Sequence, residues 1–282
     1  MRSAEELAPL MAGFALGPAE QVAQIAFRMD LAESWHLLPG MRVLEIGCGQ
    51  GDMTAVLADA VGGRGKVVAV DVADPSYGAP ITLGESAAHL MEGELGERIE
   101  FRFGVDVLDP SVEFGASEFD AVVLALCTWY FESLEQVAEV LERVREWAPR
   151  LHMAEWNMQP ASIDQLGHLM AVLIQGQVEA RRGDGTGNVR TPYSRERLID
   201  VLGKAGWAVE SDHLVATAGL ADARWEIDLC LEHALADAET VGFTMKERQF
   251  LASQLDVLRR LEVGACLPAY ALSAVRCHDS RD

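Results

Sequence analysis

The stretch RVLEIGCGQGDMT, residues 42–54, constrains the fold of this chain more than any other part of it. An apolar run that carries an acid, Glu45, leads into glycines at alternate positions, Gly47, Gly49 and Gly51, and a helix-like segment follows. Glycines in such a turn let the backbone adopt positive φ angles and approach a ligand closely. The pattern therefore predicts a strand, a nucleoside-binding loop and a helix.

Two features separate this loop from the loops that bind dinucleotides or ATP. The glycine spacing is GxGxG rather than GxGxxG, and the chain has no GxxxxGK[ST] string. The carboxylate of Glu45 would repel a pyrophosphate, whereas it would suit a ligand with a cationic amine and a sulfonium. Asp71 ends the next apolar run, where a carboxylate can accept hydrogen bonds from both ribose hydroxyls.

The composition excludes several classes of protein. The chain has 282 residues, half of them hydrophobic, which is enough for one domain over residues 1–282. Its net charge of −21 disfavours a nucleic-acid partner, because binding to phosphates needs a positive surface. The longest apolar run, 121–131, is too short for a bilayer span of about 20 residues, and the N-terminus lacks the charge pattern of a signal peptide. We expect a cytoplasmic protein with no membrane partner.

The cysteines are five in number and widely spread, and no two of them form a CxxC pair. An odd, dispersed set argues against both a zinc site and a disulfide framework. We therefore predict reduced thiols, most of them buried. The cysteines are Cys48, Cys127, Cys230, Cys266 and Cys277.

Apolar runs alternate with segments of helical periodicity along much of the chain. This alternation predicts an α/β fold with a doubly wound, mostly parallel sheet, because continuous apolar runs are typical of strands that helices cover on both faces. The predicted strands are 41–47, 66–72, 99–105, 119–126, 151–156, 207–215 and 268–277. The predicted helices of the sheet are 53–62, 85–95, 133–149 and 194–207.

Two further helical stretches, about 160–182 and 222–261, are not needed to complete such a sheet. We predict that they belong to helical cap insertions over a site, 157–193 and 218–264. The glycine-rich segment 181–192 would let the first cap open. The alternatives are that these helices only extend the hydrophobic packing, or that they form the interface of a homodimer.

Five segments together resemble the class I S-adenosylmethionine-dependent methyltransferases of the small-molecule type. They are VLEIGCGQG (43–51), VVAVDV (67–72), FRFGVDVLD (101–109), FDAVVLALCTWY (119–130) and YSRERLIDVLGKAGW (193–207). The resemblance covers about residues 20–215 and implies a seven-stranded Rossmann-like sheet with S-adenosylmethionine as cofactor. The chain departs from simple members of the family in its long second-half insertions, where substrate identity would be set.

The resemblance also implies which residues contact the cofactor. The glycine loop would hold the methionine part, Asp71 the ribose and Asp106 the adenine amino group, with valines packed on the adenine ring. The implied cofactor-binding residues are Glu45, Gly47, Cys48, Gly49, Gly51, Met53, Asp71, Val72, Val105, Asp106, Val107, Leu126 and Cys127.

Methyl transfer from a sulfonium does not require a catalytic residue, because alignment and desolvation lower the barrier and a base is needed only when the nucleophile carries a proton. The candidate bases are Tyr130, Glu155, His36 and His168. The predicted substrate-binding residues are Trp129, Tyr130, Trp156 and Arg190. The three aromatic residues are placed there because they end predicted strands, and Arg190 could bind a substrate carboxylate, although a solvated surface arginine is the alternative.

The residues after the fourth and fifth predicted strands bear on the type of transfer. No acid follows the fourth strand before Glu132, and Glu155 with Asn157 after the fifth would make a poor oxygen cage for a divalent cation. The chain also lacks the [DN]PP[YFW] string of amino methyltransferases that act on adenine or planar amides, and the Pro-Cys pair of cytosine-C5 enzymes, at this place. We predict a metal-independent transfer to an oxygen or nitrogen atom of a small molecule, by in-line displacement.

Two other functions remain open from the sequence. The first is methylation of a protein, for which a basic partner would suit the charge of −21. The second is a protein that binds the cofactor and transfers no methyl group. All three hypotheses predict cofactor binding, so the glycine loop and Asp71 do not separate them.

Overall fold

The computed structural model describes residues 2–182, 187 and 189–277, and these residues form a seven-stranded sheet with helices on both faces. The strands are β1 (Arg42–Ile46), β2 (Lys66–Asp71), β3 (Ile99–Phe103), β4 (Ala121–Ala125), β5 (Arg150–Trp156), β6 (Trp207–Val215) and β7 (Ala269–Arg276). The helices are α1 (Ala4–Leu7), α2 (Pro18–Ser34), α3 (Asp52–Val61), α4 (Leu83–Glu92), α5 (Leu134–Val144), α6 (Leu166–Glu179), α7 (Arg195–Lys204), α8 (Asp222–Thr240) and α9 (Met245–Leu258).

The strand order is β3-β2-β1-β4-β5-β7-β6, and only the pairs that involve β7 are antiparallel. The predicted α/β fold with a doubly wound, mostly parallel sheet is confirmed. Every predicted strand is present, with ends that differ by no more than two residues. The prediction of burial on both faces is correct for β1, β2, β4 and β5, but it is wrong for β3, which lies at the sheet edge and is partly exposed from residue 100 onward.

Two hydrophobic cores lie on the two faces of the sheet. Val43 packs into the core that contains α2 and α3, whereas its neighbour Leu44 packs into the core that contains α5 and α7. This follows from the strand geometry, because successive side chains point to opposite faces. The continuous apolar runs of the sequence therefore supply both cores at once.

The helical stretches outside the sheet pack against each other around a third core. Buried side chains of α6, α8 and α9 form it, among them Ile174, Cys230 and Leu251. The stretch 222–261, predicted as continuous, is divided into α8 and α9. Gly242 adopts a φ of +78°, which ends α8, and the Thr244 side chain accepts the Glu247 N–H and starts α9.

Several smaller predictions can be compared with the fold. The five cysteines are free, with four buried and Cys277 exposed, as predicted. No helix among the described residues is long and apolar enough to cross a membrane.

Helix α2 was not predicted, since no element was assigned before residue 41. The glycines Gly183 and Gly185, on which the predicted opening of the first cap depends, lie outside the described residues.

Candidate active site

A cavity of about 850 Å³ opens at the carboxyl ends of β1, β2 and β4. The strand order reverses between β1 and β4, which is where open α/β sheets bind their ligands. The volume lies within the roughly 300–1,000 Å³ that small-molecule sites occupy. Every residue that the family resemblance assigned to the cofactor lines this cavity, except Gly51.

The glycine loop connects β1 to α3 and forms one wall of the cavity. Gly47 has a φ of +74°, and a Cβ atom there would lie 2.6 Å from the Cβ of Cys127. Gly51 has a φ of +88° and precedes α3, and a Cβ there would lie 2.8 Å from the side chain of Leu90. Both positions therefore require glycine, but Gly51 serves the turn and the packing of α3 rather than the cavity surface.

The Asp71 carboxylate is fixed at the end of β2. Its Oδ2 accepts the Gly49 N–H at 2.8 Å, and its Oδ1 accepts the Ala73 N–H at 2.9 Å. Each carboxylate oxygen can accept a further hydrogen bond, because it has two lone pairs. The carboxylate is thus held in one orientation and remains able to accept two hydroxyls from the cavity.

A narrow apolar surface lies next to Asp71. Val72, Val105 and Val107 line the cavity here together with Asp106, whose Oδ1 accepts the Leu108 N–H at 2.8 Å. Val72 is 70% exposed, although it directly follows a buried strand. An exposed valine beside a fixed carboxylate is an arrangement that fits a flat ring with a polar edge.

The part of the cavity next to β1 is lined by a buried acid, Glu45, and by an arginine, Arg28. Glu45 is buried, and the Thr54 hydroxyl donates a hydrogen bond of 2.5 Å to its Oε2. Burial raises the pKa of Glu45 to about 8, although the Thr54 hydroxyl and the charge of Arg28 favour the ionised form. Arg28, on α2, lines the same part and donates to the Gln24 carbonyl oxygen at 3.1 Å and to its side-chain oxygen. This pair fits an amino-acid group, with its amine toward Glu45 and its carboxylate toward Arg28.

Arg28 was missed by the sequence analysis. Its only sequence signal is the helical spacing of Gln24 and Arg28, four residues apart, and that spacing does not reveal where the helix packs. The contact with the cavity depends on the docking of α2 against α3 and the sheet, which is a tertiary feature.

The comparisons with known proteins agree with this geometry. Residues 44–146 match the family described as "Methyltransferase domain", and residues 10–77 match the family of protein-L-isoaspartate(D-aspartate) O-methyltransferases. The crystal structure of a cyclopropane-fatty-acyl-phospholipid synthase-like protein from Lactobacillus casei ATCC 334 is 34% identical in sequence, with a TM-score of 0.88 over 96% of this chain and 98% of that chain. The chain belongs to the class I S-adenosylmethionine-dependent methyltransferases.

Two known proteins are similar in sequence to parts of this chain. Methyltransferase phomM′ of Diaporthe leptostromiformis is 27% identical over 76% of this chain, and the aligned region spans 65% of the fungal protein. Nocamycin O-methyltransferase of Saccharothrix syringae is 36% identical over 100 residues, which are 36% of this chain and 32% of that protein. The methyltransferase thus spans somewhat less than two thirds of the length of the fungal relative.

Among the candidate bases, Glu155 proves to be a fixed structural acceptor. Its Oε2 accepts the Thr128 hydroxyl at 2.8 Å and the N–H groups of Thr128 and Trp129 at 3.2 and 3.3 Å, and its Oε1 accepts the Trp156 N–H at 3.0 Å. The Tyr193 hydroxyl bonds to the Thr128 hydroxyl. Burial raises the pKa of Glu155 to about 7. The carboxylate anchors the turn after β4 and does not line the cavity.

The two histidine candidates lie away from the cavity. His36 is exposed and lies between α2 and β1, so it is at the edge of the sheet opposite the cavity. His168 is buried on α6, its Nδ1 accepts the Leu267 N–H at 3.0 Å, and burial lowers its pKa to about 4. Neither of them is placed to act as a base on a ligand in the cavity.

Of the three aromatic residues predicted as walls of the substrate site, only Tyr130 lines the cavity. Trp129 is buried beneath the turn after β4, and Trp156 packs its ring against His168 and Phe27. Both lie outside the lining of the cavity. Tyr130 lines it and is half exposed. Burial, with the carboxylates of nearby acids, raises the pKa of Tyr130, so its phenol stays protonated at neutral pH and acts as a hydrogen-bond donor.

Helix α8 approaches the cavity from the second insertion. Asp222 accepts a hydrogen bond of 2.9 Å from the Gln24 side chain on α2, and Glu226 accepts one of 2.7 Å from the Gln175 side chain on α6. Burial raises the pKa of both carboxyl groups, and both act electrostatically on Tyr130. The first turns of α8 are therefore tied to α2 and α6 beside the mouth of the cavity.

Arg190, the last predicted substrate residue, lines the cavity on the side of the turn after β4. Within residues 2–182, 187 and 189–277, no group of three or more His, Cys, Asp or Glu side chains is arranged to hold a metal ion.

Proposed function

We propose that this methyltransferase transfers the methyl group of S-adenosylmethionine to an oxygen or nitrogen atom of a small molecule, by in-line displacement and without a metal ion. The observation that carries the proposal is the order of groups along the cavity. Glu45 lies on β1 near Arg28, Asp71 ends β2 and is followed by Val72, and Asp106 comes after β3, so the three acids line the cavity in the order of the neighbouring strands β1, β2 and β3. This order matches an amino acid, a ribose and an adenine in one extended ligand.

Different residues of the cavity would contact different parts of the cofactor. Glu45 and Arg28 would hold the amino-acid group, the Asp71 carboxylate would accept the ribose hydroxyls, and Asp106 would bind the adenine edge while Val72 contacts its face. When bound, S-adenosylmethionine supplies an electrophilic methyl group on a positively charged sulfur that is a good leaving group. The protein contributes alignment of the two reactants, which can lower the barrier by about 7–11 kcal/mol.

The acceptor would approach from the side of Tyr130. The protonated phenol would donate a hydrogen bond that orients the acceptor, rather than remove a proton from it. The insertions 157–193 and 218–264 would exclude water from this side, as the bonds of Asp222 and Glu226 to α2 and α6 support. A concave cavity of about 850 Å³ suits a small acceptor better than it suits the surface of a protein.

Calorimetric titration of the purified protein tests the cofactor assignment. We expect saturable binding of S-adenosylmethionine and of S-adenosylhomocysteine, because the cavity offers a partner for each polar part of both ligands. ATP serves as the control ligand, since it lacks the amino-acid group that Glu45 and Arg28 would hold. Absence of binding heat and of a thermal shift at millimolar S-adenosylhomocysteine would contradict the proposal.

A second prediction concerns the ribose contact. We expect Asp71→Ala to weaken S-adenosylhomocysteine binding by about tenfold to a hundredfold, because hydrogen bonds to a charged acceptor contribute about 1.5–3 kcal/mol. Asp74→Ala is the matched control, since Asp74 is exposed and accepts hydrogen bonds from Ser76 in the neighbouring loop. Equal affinities of the two variants in calorimetry would place the ribose elsewhere.

A third prediction concerns metal ions. With an identified acceptor, we expect the rate of methyl transfer to be the same with and without EDTA. The reason is that positioning and desolvation by the protein suffice for displacement at a sulfonium. Magnesium added back after EDTA provides the control. A rate that EDTA abolishes and magnesium restores would show that the displacement depends on a cation.

A further inference from the structure

The backbone of Arg190 is fixed to the turn that follows β4. The N–H groups of Arg190 and Thr191 both donate to the Trp129 carbonyl oxygen at 3.0 Å. The Thr191 hydroxyl donates to the Phe131 carbonyl oxygen at 2.8 Å. This turn carries Tyr130 into the cavity, so these bonds tie the backbone of Arg190 to the segment that bears Tyr130.

Within the part of the chain that the structure describes, the guanidinium of Arg190 lies at the cavity without an acid partner. Its Nε donates to the Gly187 carbonyl oxygen at 3.0 Å, and neither terminal nitrogen donates to any other described residue. Among the described residues no carboxylate lies within 4.0 Å of it, although the chain contains 44 acids and 23 bases. Surface arginines of this protein, such as Arg150 and Arg195, pair with carboxylates instead. A partly buried guanidinium whose two terminal nitrogens make no hydrogen bond to the described residues is suited to an anionic ligand.

The cofactor does not account for this arginine. Glu45 and Arg28 lie on β1 and α2 and would take up the two charges of the amino-acid group of the cofactor. Arg190 lies on a different wall, beside Phe131 and Tyr130, on the side from which the acceptor would approach.

We propose that the methyl acceptor is a small organic acid whose carboxylate is bound by Arg190, an inference that rests on the proposed methyltransferase function. The guanidinium offers parallel N–H donors that match the two oxygens of a carboxylate. An overall charge of −21 repels anions, so an anionic acceptor needs a local cation of this kind.

The test uses methyl-labelled S-adenosylmethionine and a metabolite extract of the cells that produce the protein. The extract is separated on a quaternary-amine resin at pH 7 into retained anions and unretained neutral or cationic compounds, and each pool is offered to the enzyme. We expect label in a product from the anionic pool, and mass spectrometry is expected to identify that acceptor as a carboxylic acid. Label only from the unretained pool, a phosphate ester as acceptor, or no label from either pool would overturn the proposal.

Variants then connect the acceptor to Arg190. We expect Arg190→Gln to raise the KM for the acceptor about tenfold to a hundredfold, and Arg190→Lys to raise it less, because the charge is kept and the paired donors are lost. Arg197→Gln, an exposed change of the same charge on α7, is the control. An Arg190→Gln enzyme that matches Arg197→Gln would overturn the proposal. Calorimetry with S-adenosylhomocysteine tests the two proposals separately. Arg190→Gln is expected to bind this ligand as the wild type does, because Arg190 is proposed to bind the acceptor and not the cofactor. Failure of the wild type to bind it would refute the methyltransferase assignment of the cavity.

Discussion

The affinity of the methyltransferase for S-adenosylhomocysteine is expected to rise by up to about tenfold per pH unit between pH 6 and pH 8. Burial raises the pKa of Glu45 to about 8, so the free protein holds this proton at pH 6 and pH 7. The ammonium group of the ligand favours the carboxylate, so binding lowers the pKa of Glu45 and releases the proton. Affinity therefore increases with pH until the carboxyl of the free protein is itself ionised.

Two measurements check this linkage. Titrations across the pH range give the slope of affinity against pH, and titrations at pH 7 in buffers of different ionisation enthalpy give the number of protons released. We expect Glu45→Gln to remove the slope, while the exposed change Glu92→Gln on α4 retains it. An affinity of the wild type that is flat between pH 6 and pH 8 would mean that Glu45 is already ionised in the free protein.

The raised pKa of Glu45 also predicts the direction of a stability change. The unfolded chain loses this proton near its ordinary pKa of 4.5, whereas the folded chain keeps it up to about pH 8. Glu45 therefore makes the fold less stable as the pH rises through that window. Glu45→Gln keeps an acceptor for the Thr54 hydroxyl, so this contribution to the pH dependence should disappear while the packing is preserved.

The parts of the site that depend on local sequence could be predicted. The glycine loop, Asp71 and the segment around Asp106 each lie at the end of an apolar strand, and parallel strands bring their carboxyl ends to one edge. The βαβ pattern therefore places these segments on one edge of the sheet, whereas the strand order that brings them beside the reversal between β1 and β4 is seen only in the structure.

The parts of the site that depend on the direction of single side chains could not be predicted from the sequence. The residues after β4 form a turn of 3-10 helix, Thr128–Tyr130, in which successive side chains point about a third of a turn apart. Trp129 therefore points into the protein while Tyr130 points into the cavity, and proximity to a strand end does not distinguish the two. Trp156 likewise packs against His168 and does not line the cavity.

The anchoring role of Glu155 has a large expected effect on stability. We expect Glu155→Ala to lower the free energy of unfolding by about 3–5 kcal/mol, because it leaves buried donors on Thr128, Trp129 and Trp156 without an acceptor, each at a cost of about 1–3 kcal/mol. Denaturant unfolding of the purified variant measures this difference. The matched control is Glu139→Ala, an exposed change on α5 that should stay within about 0.5 kcal/mol of the wild type.

A conservative variant separates the hydrogen bonds from the charge. In Glu155→Gln the carbonyl oxygen can still accept from Thr128 and Trp129, but the new amide group faces the Trp156 N–H, which is also a donor. We therefore expect a loss of stability between those of Glu155→Ala and Glu139→Ala. If Glu155→Ala were as stable as Glu139→Ala, the turn after β4 would be held by its other contacts, chiefly the bonds of Arg190 and Thr191 to the Trp129 carbonyl oxygen. In that case the position of Tyr130 in the cavity would depend on the end of the first insertion rather than on the sheet.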